Sequence, residues 1–227
     1  MMKVTVVCVK EGVKYDFRYV NALYGMLQKT LSCDFNMICF TENSLGISRS
    51  IEIRPLPLPA SKGWWNKCLL FKPELLKGRV LYLDLDMIIV GDLVKYFEVH
   101  DQLTLLANNF SMDGRSYTRL NTSMMYWDAD DSSFSAISDT YLLSKEAYDS
   151  DSYLQWPNTS DIGDQQVILD SRLKFRFFPS SGIRYFKFIK DDSYLSPDVD
   201  LIVCKGKRQE DYLQHPLVQK FWTTQLR

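Results

Sequence analysis

The distribution of apolar residues predicts a chain that alternates strands and helices. A continuous apolar run at residues 4–9 predicts an interior β-strand, and apolar side chains at every third or fourth position over residues 17–31 predict an amphipathic helix capped by Asp16. Similar short runs predict strands at residues 35–40, 51–54, 103–107, 121–127, 175–178, 183–188 and 201–204. Further helices are predicted at residues 132–145, from Asp164 onward and at residues 216–226. The β-α-β-β start is typical of an α/β sheet.

The most informative stretch is residues 79–93, where two carboxylates interrupt an apolar run. Residues 80–83 and 87–90 are apolar, β-branched or aromatic, which predicts a strand buried on both faces. Burying an unpaired carboxylate costs several kcal/mol, so Asp84 and Asp86 need a cation, hydrogen-bond donors or solvent. Alternation along a strand would turn both side chains to one side, with Cα atoms roughly 6.6 Å apart. That spacing suits one Mg²⁺ or Mn²⁺ ion completed by phosphate oxygens of a substrate.

Two other interpretations of the acidic pair stay open, because Asp84 and Asp86 would also be satisfied by capping a turn or by pairing with Arg or Lys. A similar choice applies to the segment before the strand. Trp64-Trp65-Asn66-Lys67 would place a cation and an aromatic wall near a phosphorylated ligand, unless both tryptophans fill the core.

An acid and an amide, Asp164 and Gln165, stand at the start of a predicted helix. Asp164 would be a favourable first-turn acid through the helix dipole alone. A basic segment at residues 205–209 would either bind phosphate or stay solvated.

Composition limits the classes of protein to consider. The chain has 227 residues, of which 46% are hydrophobic and 14% aromatic, enough for one domain over residues 1–227. A formal charge of -1 argues against a nucleic-acid binder. The five cysteines are odd in number, which favours buried thiols in a reducing compartment over disulfides or a zinc site.

The N-terminal apolar run is too short for a signal sequence, and no run approaches the ~20 apolar residues of a membrane span. These features predict a soluble, cytoplasmic protein without a membrane span.

The motif Leu81-Tyr82-Leu83-Asp84-Leu85-Asp86, with Val90-Gly91-Asp92-Leu93 after it, resembles the family 8 group of nucleotide-sugar-dependent glycosyltransferases. The resemblance extends over residues 3–206. It implies the α/β type A (GT-A) fold, a nucleotide-binding mixed sheet flanked by helices, with the metal-binding Asp-x-Asp at the end of a central strand. It also implies a nucleotide-binding half at about residues 1–93 and an acceptor-side half at about residues 94–227.

The resemblance further implies transfer of a sugar from a UDP-sugar to an acceptor hydroxyl, with retention of configuration. Asp84 and Asp86 would hold Mn²⁺ or Mg²⁺ against the diphosphate. Asp164 and Gln165 would lie beside the transferred sugar as the candidate catalytic residues. The donor-binding residues implied are Lys10, Tyr15, Trp65, Asn66, Lys67, Asp84, Asn121, Ser123 and Lys205. The acceptor would be a glycan, lipid or protein. If the reaction inverted configuration instead, Asp164 or Asp161 would be the general base.

One departure from the family concerns a late metal ligand. Relatives commonly carry His-Gly where this chain has Lys205-Gly206, and a protonated lysine cannot bind a cation. Either the metal is held more weakly and shares its duty with Lys205, or the chain is a catalytically weak or inactive nucleotide-binding scaffold. The acidic motif leaves a separate alternative, since haloacid dehalogenase-type phosphohydrolases also use an Asp-x-Asp at a strand end. That alternative would enlist basic and acidic residues at positions 187–192.

Overall fold

The computed structural model describes residues 3–97, 102–112, 115–148, 163–186, 198–204 and 216–222. Its strands are β1 (Lys3–Lys10), β2 (Asp34–Thr41), β3 (Glu52–Arg54), β4 (Arg79–Leu83), β5 (Met87–Ile89), β6 (Leu103–Met112), β7 (Arg115–Asp128), β8 (Phe175–Phe177), β9 (Ile183–Tyr185) and β10 (Leu201–Val203). Its α-helices are α1 (Phe17–Thr30), α2 (Ser135–Leu143), α3 (Lys145–Tyr148), α4 (Asp164–Asp170) and α5 (Pro216–Trp222), and the longest 3₁₀ helix is Gly63–Phe71.

The strands form two sheets, and their mixture of directions confirms the predicted α/β class. The larger sheet has seven strands in the order β3-β2-β1-β4-β7-β6-β8, and the smaller has the order β5-β10-β9. Strands β1, β2 and β3 are parallel, whereas β6 is antiparallel to β7 and parallel to β8. In the smaller sheet, β10 is antiparallel to β5 and parallel to β9.

Helix α1 forms as its apolar period predicts. The Asp16 carboxylate accepts a hydrogen bond from the backbone N–H of Arg18 at 2.9 Å, which satisfies one of the free donors at the helix start. Its buried face includes Val20, Leu23 and Leu27, each fully buried. Each such side chain stabilises the fold by roughly 1.5–3 kcal/mol.

The prediction of one continuous strand across the acidic motif is wrong. Strands β4 and β5 belong to different sheets, and the chain turns between them with the backbone N–H of Met87 donating to the carbonyl of Asp84 at 3.3 Å. Two adjacent acids are costly inside a ladder with both faces buried, and the turn lets them reach solvent. Strand alternation therefore does not set the directions of Asp84 and Asp86.

Several predicted boundaries also shift. Strands β6 and β7 form a longer hairpin than predicted, because their outer part carries exposed polar residues that give no apolar run. The predicted helix at residues 132–145 divides into a 3₁₀ turn, α2 and α3, and the 3₁₀ helix at Gly63–Phe71 had no predicted counterpart. Helix α5 starts where predicted, while residues 223–226 lie outside the described part of the chain. Among the described residues, no helix combines the length and the apolar composition that crossing a bilayer requires.

Two compact units share the chain. Unit 1 comprises the described parts of Met1–Arg54, Leu83–Glu98 and Pro179–Arg227, and unit 2 those of Pro55–Tyr82 and Val99–Phe178. The core of unit 1 packs α1 against β5, and that of unit 2 contains the fully buried Trp127 and Tyr141. All five cysteines are free thiols, and only Cys33 is partly exposed.

Candidate functional site

The first candidate group lies in unit 1 and is called the acidic cluster: Tyr15, Asp84, Asp86 and Cys204. The two carboxylates are partly exposed, although their neighbours Leu83, Leu85 and Met87 are buried. The turn after β4 thus directs the apolar side chains inward and leaves both acids accessible to solvent.

Tyr15 binds directly to the acidic pair. Its hydroxyl donates to Asp86 Oδ2 at 3.1 Å, and its ring packs edge-on against Tyr19 with centroids 5.2 Å apart. Burial raises the pKa of Tyr15, and the negative charges of Asp86 and Asp84 raise it further. The phenol therefore stays protonated and acts as a donor that holds Asp86 in one orientation. No sequence pattern had paired these residues, since they are 71 positions apart.

Cys204 completes the acidic cluster from the end of β10. The register of β10 against β5 sets Val203 opposite Met87, so the next residue, Cys204, lies on the side of Asp86. Burial raises the pKa of the Cys204 thiol, and the charge of Asp86 adds to the effect, so the sulfur stays protonated. The neighbouring Lys205, predicted to bind the donor, lies outside the described residues.

The donor set of the acidic cluster fits a hard divalent cation in part. Two accessible carboxylates are ligands that Mg²⁺ and Mn²⁺ prefer, with the remaining positions filled by water and phosphate oxygens. Within the part of the chain that the structure describes, no group of three His, Cys, Asp or Glu side chains is arranged to hold a metal. Among the described residues, a cation would therefore be held by Asp84 and Asp86, with water and phosphate oxygens as its further ligands.

The second candidate group lies in unit 2 and is called the Lys67 cluster: Lys67, Tyr82, Thr122 and Asp164. Lys67 Nζ lies 3.2 Å from Asp164 Oδ2, and each side chain is only 8% exposed. The ammonium also donates to Thr122 Oγ1 at 3.4 Å and lies 5.4 Å from the centre of the Tyr82 ring. These contacts neutralise a cation and an anion that are both buried.

Asp164 keeps an unused hydrogen-bonding capacity in this cluster. Although Lys67 is at ion-pair distance, it approaches off the direction of a hydrogen bond, and Asp164 Oδ2 accepts none from the described residues. Gly163 precedes it with φ 84°, and a Cβ at that position would meet Trp64 Nε1 at 2.6 Å. The indole thus fixes the chain where α4 begins. Gln165, the next residue of α4, is partly exposed.

Asn66 and Trp65 have structural contacts. Asn66 is fully buried, with Oδ1 accepting from the Ser61 N–H at 3.0 Å and Nδ2 donating to the carbonyls of Ser61 and Gly63. Trp65 stacks on Tyr141 with centroids 5.6 Å apart. These contacts favour the core-filling alternative for Trp65, and donor binding by either residue stays a prediction.

The remaining predicted donor-binding residues occupy different places. Lys10 is buried at the end of β1 in unit 1. In unit 2, Asn121 is buried and its Oδ1 accepts from the N–H of the partly exposed Ser123 at 2.8 Å. Thr122, between these two in sequence, is the residue that contacts Lys67, and its strand position gave no signal of that role.

Comparison with known proteins gives no relative by sequence, since no protein family and no curated protein matches the chain. Solved structures do match. The galactosyltransferase LgtC, in complex with donor and acceptor sugar analogs, matches with a TM-score of 0.63 at 14% identity, over 97% of this chain and 94% of its own. The glycosyltransferase GlyE of Streptococcus pneumoniae TIGR4 matches with a TM-score of 0.63 at 13% identity, over 98% and 60%. The chain has a glycosyltransferase fold.

The bifunctional WbbM matches in the same way, with a TM-score of 0.57 at 9% identity over 99% of this chain and 52% of its own. The chain therefore spans nearly the length of LgtC but only part of GlyE and WbbM. The type A fold predicted from the acidic motif is confirmed. At identities this low, the likeness concerns the fold and does not extend to activity.

Proposed function

We propose that this protein transfers a sugar from a nucleotide-sugar donor, with UDP-sugars as the expected class, to an acceptor hydroxyl in a reaction that requires Mn²⁺ or Mg²⁺. One observation supports this above the others. In a fold shared with glycosyltransferases, the turn after the buried strand β4 presents two partly exposed carboxylates, Asp84 and Asp86.

The acidic cluster suits the diphosphate part of such a donor. Asp84 and Asp86 would hold the divalent cation, whose positive charge stabilises the departing nucleoside diphosphate. Tyr15, kept protonated, fixes the orientation of Asp86 through its hydrogen bond, so that the carboxylate need not reorganise when the cation binds. Lys10 and Lys205 stay predicted contacts of the donor.

By the family 8 resemblance, Asp164 and Gln165 in unit 2 stay predicted contacts of the transferred sugar. Asp164 Oδ2 is buried and accepts no hydrogen bond from the described residues, so a sugar hydroxyl that reached it would supply the missing donor. The Lys67 ammonium balances the negative charge of that carboxylate when no ligand is bound. Gln165 adds an accessible amide at the start of α4. We propose retention of configuration, with the departing phosphate taking the acceptor's proton, in line with the family 8 resemblance.

A donor panel tests the proposal. The purified chain would be incubated with UDP-sugars and Mn²⁺, with candidate acceptors or water alone, and release of UDP would be measured. We expect turnover with at least one donor, its loss on chelation with EDTA and its recovery on addition of Mn²⁺. The matched control is the chain carrying Asp86→Asn, which should release no UDP above background.

Other outcomes would favour the alternatives. Binding of UDP with Mn²⁺ but no turnover across a broad panel of donors would support a nucleotide-binding scaffold. The sequence feature that suggests this alternative is Lys205, which replaces a metal-binding histidine. Hydrolysis of simple phosphate esters without consumption of any nucleotide-sugar would support a phosphohydrolase. The residues which that alternative enlists, at positions 187–192, lie outside the described part of the chain.

A further inference from the structure

Asp200, just before β10 in unit 1, is a buried acid that the proposed chemistry does not use. Its side chain is 10% exposed, and Oδ2 accepts a hydrogen bond from the Tyr96 hydroxyl at 2.9 Å and lies 2.5 Å from Lys95 Nζ. The Ser181 carbonyl lies 2.7 Å from the same hydroxyl, so the single proton of Tyr96 is shared between these two acceptors. A carboxylate with a phenol and an ammonium as partners is held in one orientation.

The backbone of Asp200 makes a second set of contacts. Its carbonyl accepts from the N–H groups of Val90 at 2.8 Å and Gly91 at 3.1 Å, directly after β5. Its own N–H donates to the Gly182 carbonyl at 2.8 Å, directly before β9. Asp200 therefore joins the ends of all three strands of the smaller sheet.

Two glycines make room for the Asp200 side chain. A Cβ at Gly91 would lie 2.6 Å from Asp200 Oδ1, and a Cβ at Gly182 would collide with Oδ2. Gly182 also has φ 82°, a conformation that favours glycine. The glycine that follows the acidic motif is thus explained by an aspartate more than a hundred positions later. We call Gly91, Lys95, Tyr96, Gly182 and Asp200 the Asp200 cluster.

The Asp200 cluster lies at one end of a strand pair whose other end adjoins the acidic cluster. Strand β10 pairs with β5 so that Leu201 is opposite Ile89 and Val203 is opposite Met87, the residue after Asp86. A slip of one residue would reverse the faces of every side chain in a strand. Three paired residues alone fix such a register weakly, and Asp200 adds backbone hydrogen bonds and close packing against Gly91 and Gly182 at one end of the pair.

We propose that Asp200 is a positioning residue for the cation-binding pair Asp84 and Asp86. It fixes the register of β10 against β5, which in turn fixes where the turn after β4 ends and where Cys204 lies beside Asp86. The inference rests on the proposed function, because it assumes that the pair binds a divalent cation. Asp200 touches neither acid and acts only through the strands.

Binding of Mn²⁺ in the presence of UDP tests this, measured from the signal of free Mn²⁺ by electron paramagnetic resonance. We expect about a tenfold loss of Mn²⁺ affinity for Asp200→Ala and a smaller loss, about threefold, for Tyr96→Phe, because residues that orient metal ligands typically change affinity on this scale. Hydrogen exchange of the backbone at residues 84–91 should speed up in both variants.

Two matched controls separate positioning from general destabilisation. Asp198→Asn removes a carboxylate two residues away that is 64% exposed and pairs with Arg184 at 3.2 Å. Tyr148→Phe removes a tyrosine hydroxyl that donates to Asp170 in unit 2. Both should keep the Mn²⁺ affinity of the parent, whatever happens to their melting temperatures.

Each result decides something. If Asp200→Ala and Tyr96→Phe keep the Mn²⁺ affinity of the parent, the inference is overturned and the proposed function stands. The same holds if the two control variants lose as much Mn²⁺ affinity as Asp200→Ala and Tyr96→Phe do. If Asp200→Ala does not fold, the Mn²⁺ affinities of Tyr96→Phe and Gly91→Ala decide whether the Asp200 cluster positions the acidic pair. A parent protein that binds Mn²⁺ with UDP but transfers no sugar overturns the proposed function alone. A parent that binds no Mn²⁺ overturns both.

Discussion

The acidic cluster of unit 1 and the Lys67 cluster of unit 2 use aspartate in opposite ways. Asp84 and Asp86 are partly exposed, and Asp86 is held by the neutral hydroxyl of Tyr15. Asp164 is buried and is compensated by the ammonium of Lys67. The first arrangement keeps the carboxylates accessible to solvent, while the second pairs a buried carboxylate with a buried cation.

The difference predicts whether a substitution in each cluster changes mainly ligand binding or also stability. Partly exposed acids cost little to keep in water, so replacing one should change ligand binding more than stability. A buried pair has lost its hydration, so removing one partner leaves a charge with no compensation and should change stability as well. The variants below test this contrast, from the largest expected effect to the smallest.

Asp86→Asn should have the largest effect on activity. It removes the charge with which the acidic cluster would hold a cation, and we expect sugar transfer to fall about a thousandfold, equivalent to about 4 kcal/mol of transition-state stabilisation. UDP release at saturating Mn²⁺ measures this. The melting temperature should stay close to that of the parent. A variant that kept the parent's rate and its response to Mn²⁺ would remove the acidic cluster from the chemistry.

Lys67→Met should have the largest effect on stability. It leaves the Asp164 carboxylate buried without the Lys67 ammonium, and we expect the free energy of unfolding to fall by about 3 kcal/mol. Urea denaturation measures the loss. Lys62→Met, at an exposed lysine of the same segment, is the control and should change little.

The double variant Lys67→Met with Asp164→Leu sharpens the same test. Because it removes both charges, it should recover much of the stability while remaining inactive. Equal stability of Lys67→Met and Lys62→Met would mean that the pair is hydrated in solution, and the contrast between the clusters would disappear.

Tyr15→Phe should have an intermediate effect, confined to the cation. Loss of one hydrogen bond is worth about 1 kcal/mol, so the Mn²⁺ concentration for half-maximal activity should rise about fivefold. The control is Tyr24→Phe, whose hydroxyl accepts from Gln28 on the surface of α1. A Mn²⁺ dependence identical to that of the parent would show that Tyr15 does not orient Asp86.

Asp92→Asn should have the smallest effect, and its dependence on pH identifies the cause. Burial raises the pKa of Asp92, but hydrogen bonds from Ser32 and from the Val94 N–H outweigh it and hold the pKa below its ordinary value of 3.8. A carboxyl with a lowered folded pKa stabilises above its unfolded pKa and loses that contribution as pH falls through the folded pKa.

The parent should therefore have a higher melting temperature than Asp92→Asn at neutral pH. The difference between the two melting temperatures should disappear on acidification below pH 3.8. Thermal unfolding followed across pH measures this difference. Ser32→Ala should show a smaller difference of the same sign. A difference that is constant with pH would mean that the carboxyl's charge is not involved.

Local pattern was enough to find most of the elements. The period of α1 and the apolar runs of β1 and β2 depend only on neighbours in sequence, and the structure has them within a few residues of the predicted ends. The acidic motif also pointed to the fold. The error at residues 79–93 arose because an apolar run does not reveal that its two halves join different sheets.

The partners of the candidate residues were beyond local reasoning. Asp86 meets Tyr15 from 71 positions away, and Lys67 meets Thr122 from 55 positions away. Asn66 and Trp65 stand beside Lys67 in sequence, yet their contacts are structural. Residue type gave the chemistry that each side chain can perform, but not the neighbours that decide its use.

The sequence by itself determined the alternation of strands and helices and the need of Asp84 and Asp86 for a cation, hydrogen-bond donors or solvent, because periodicity and the cost of burying charge act locally. The type of fold came from the resemblance of the acidic motif to the family 8 glycosyltransferases. Only the tertiary structure decided that Asp164 is compensated by Lys67, that Tyr15 holds Asp86 and that Asp200 requires Gly91 and Gly182. Those contacts depend on the register and packing of distant segments, which no short stretch of residues specifies.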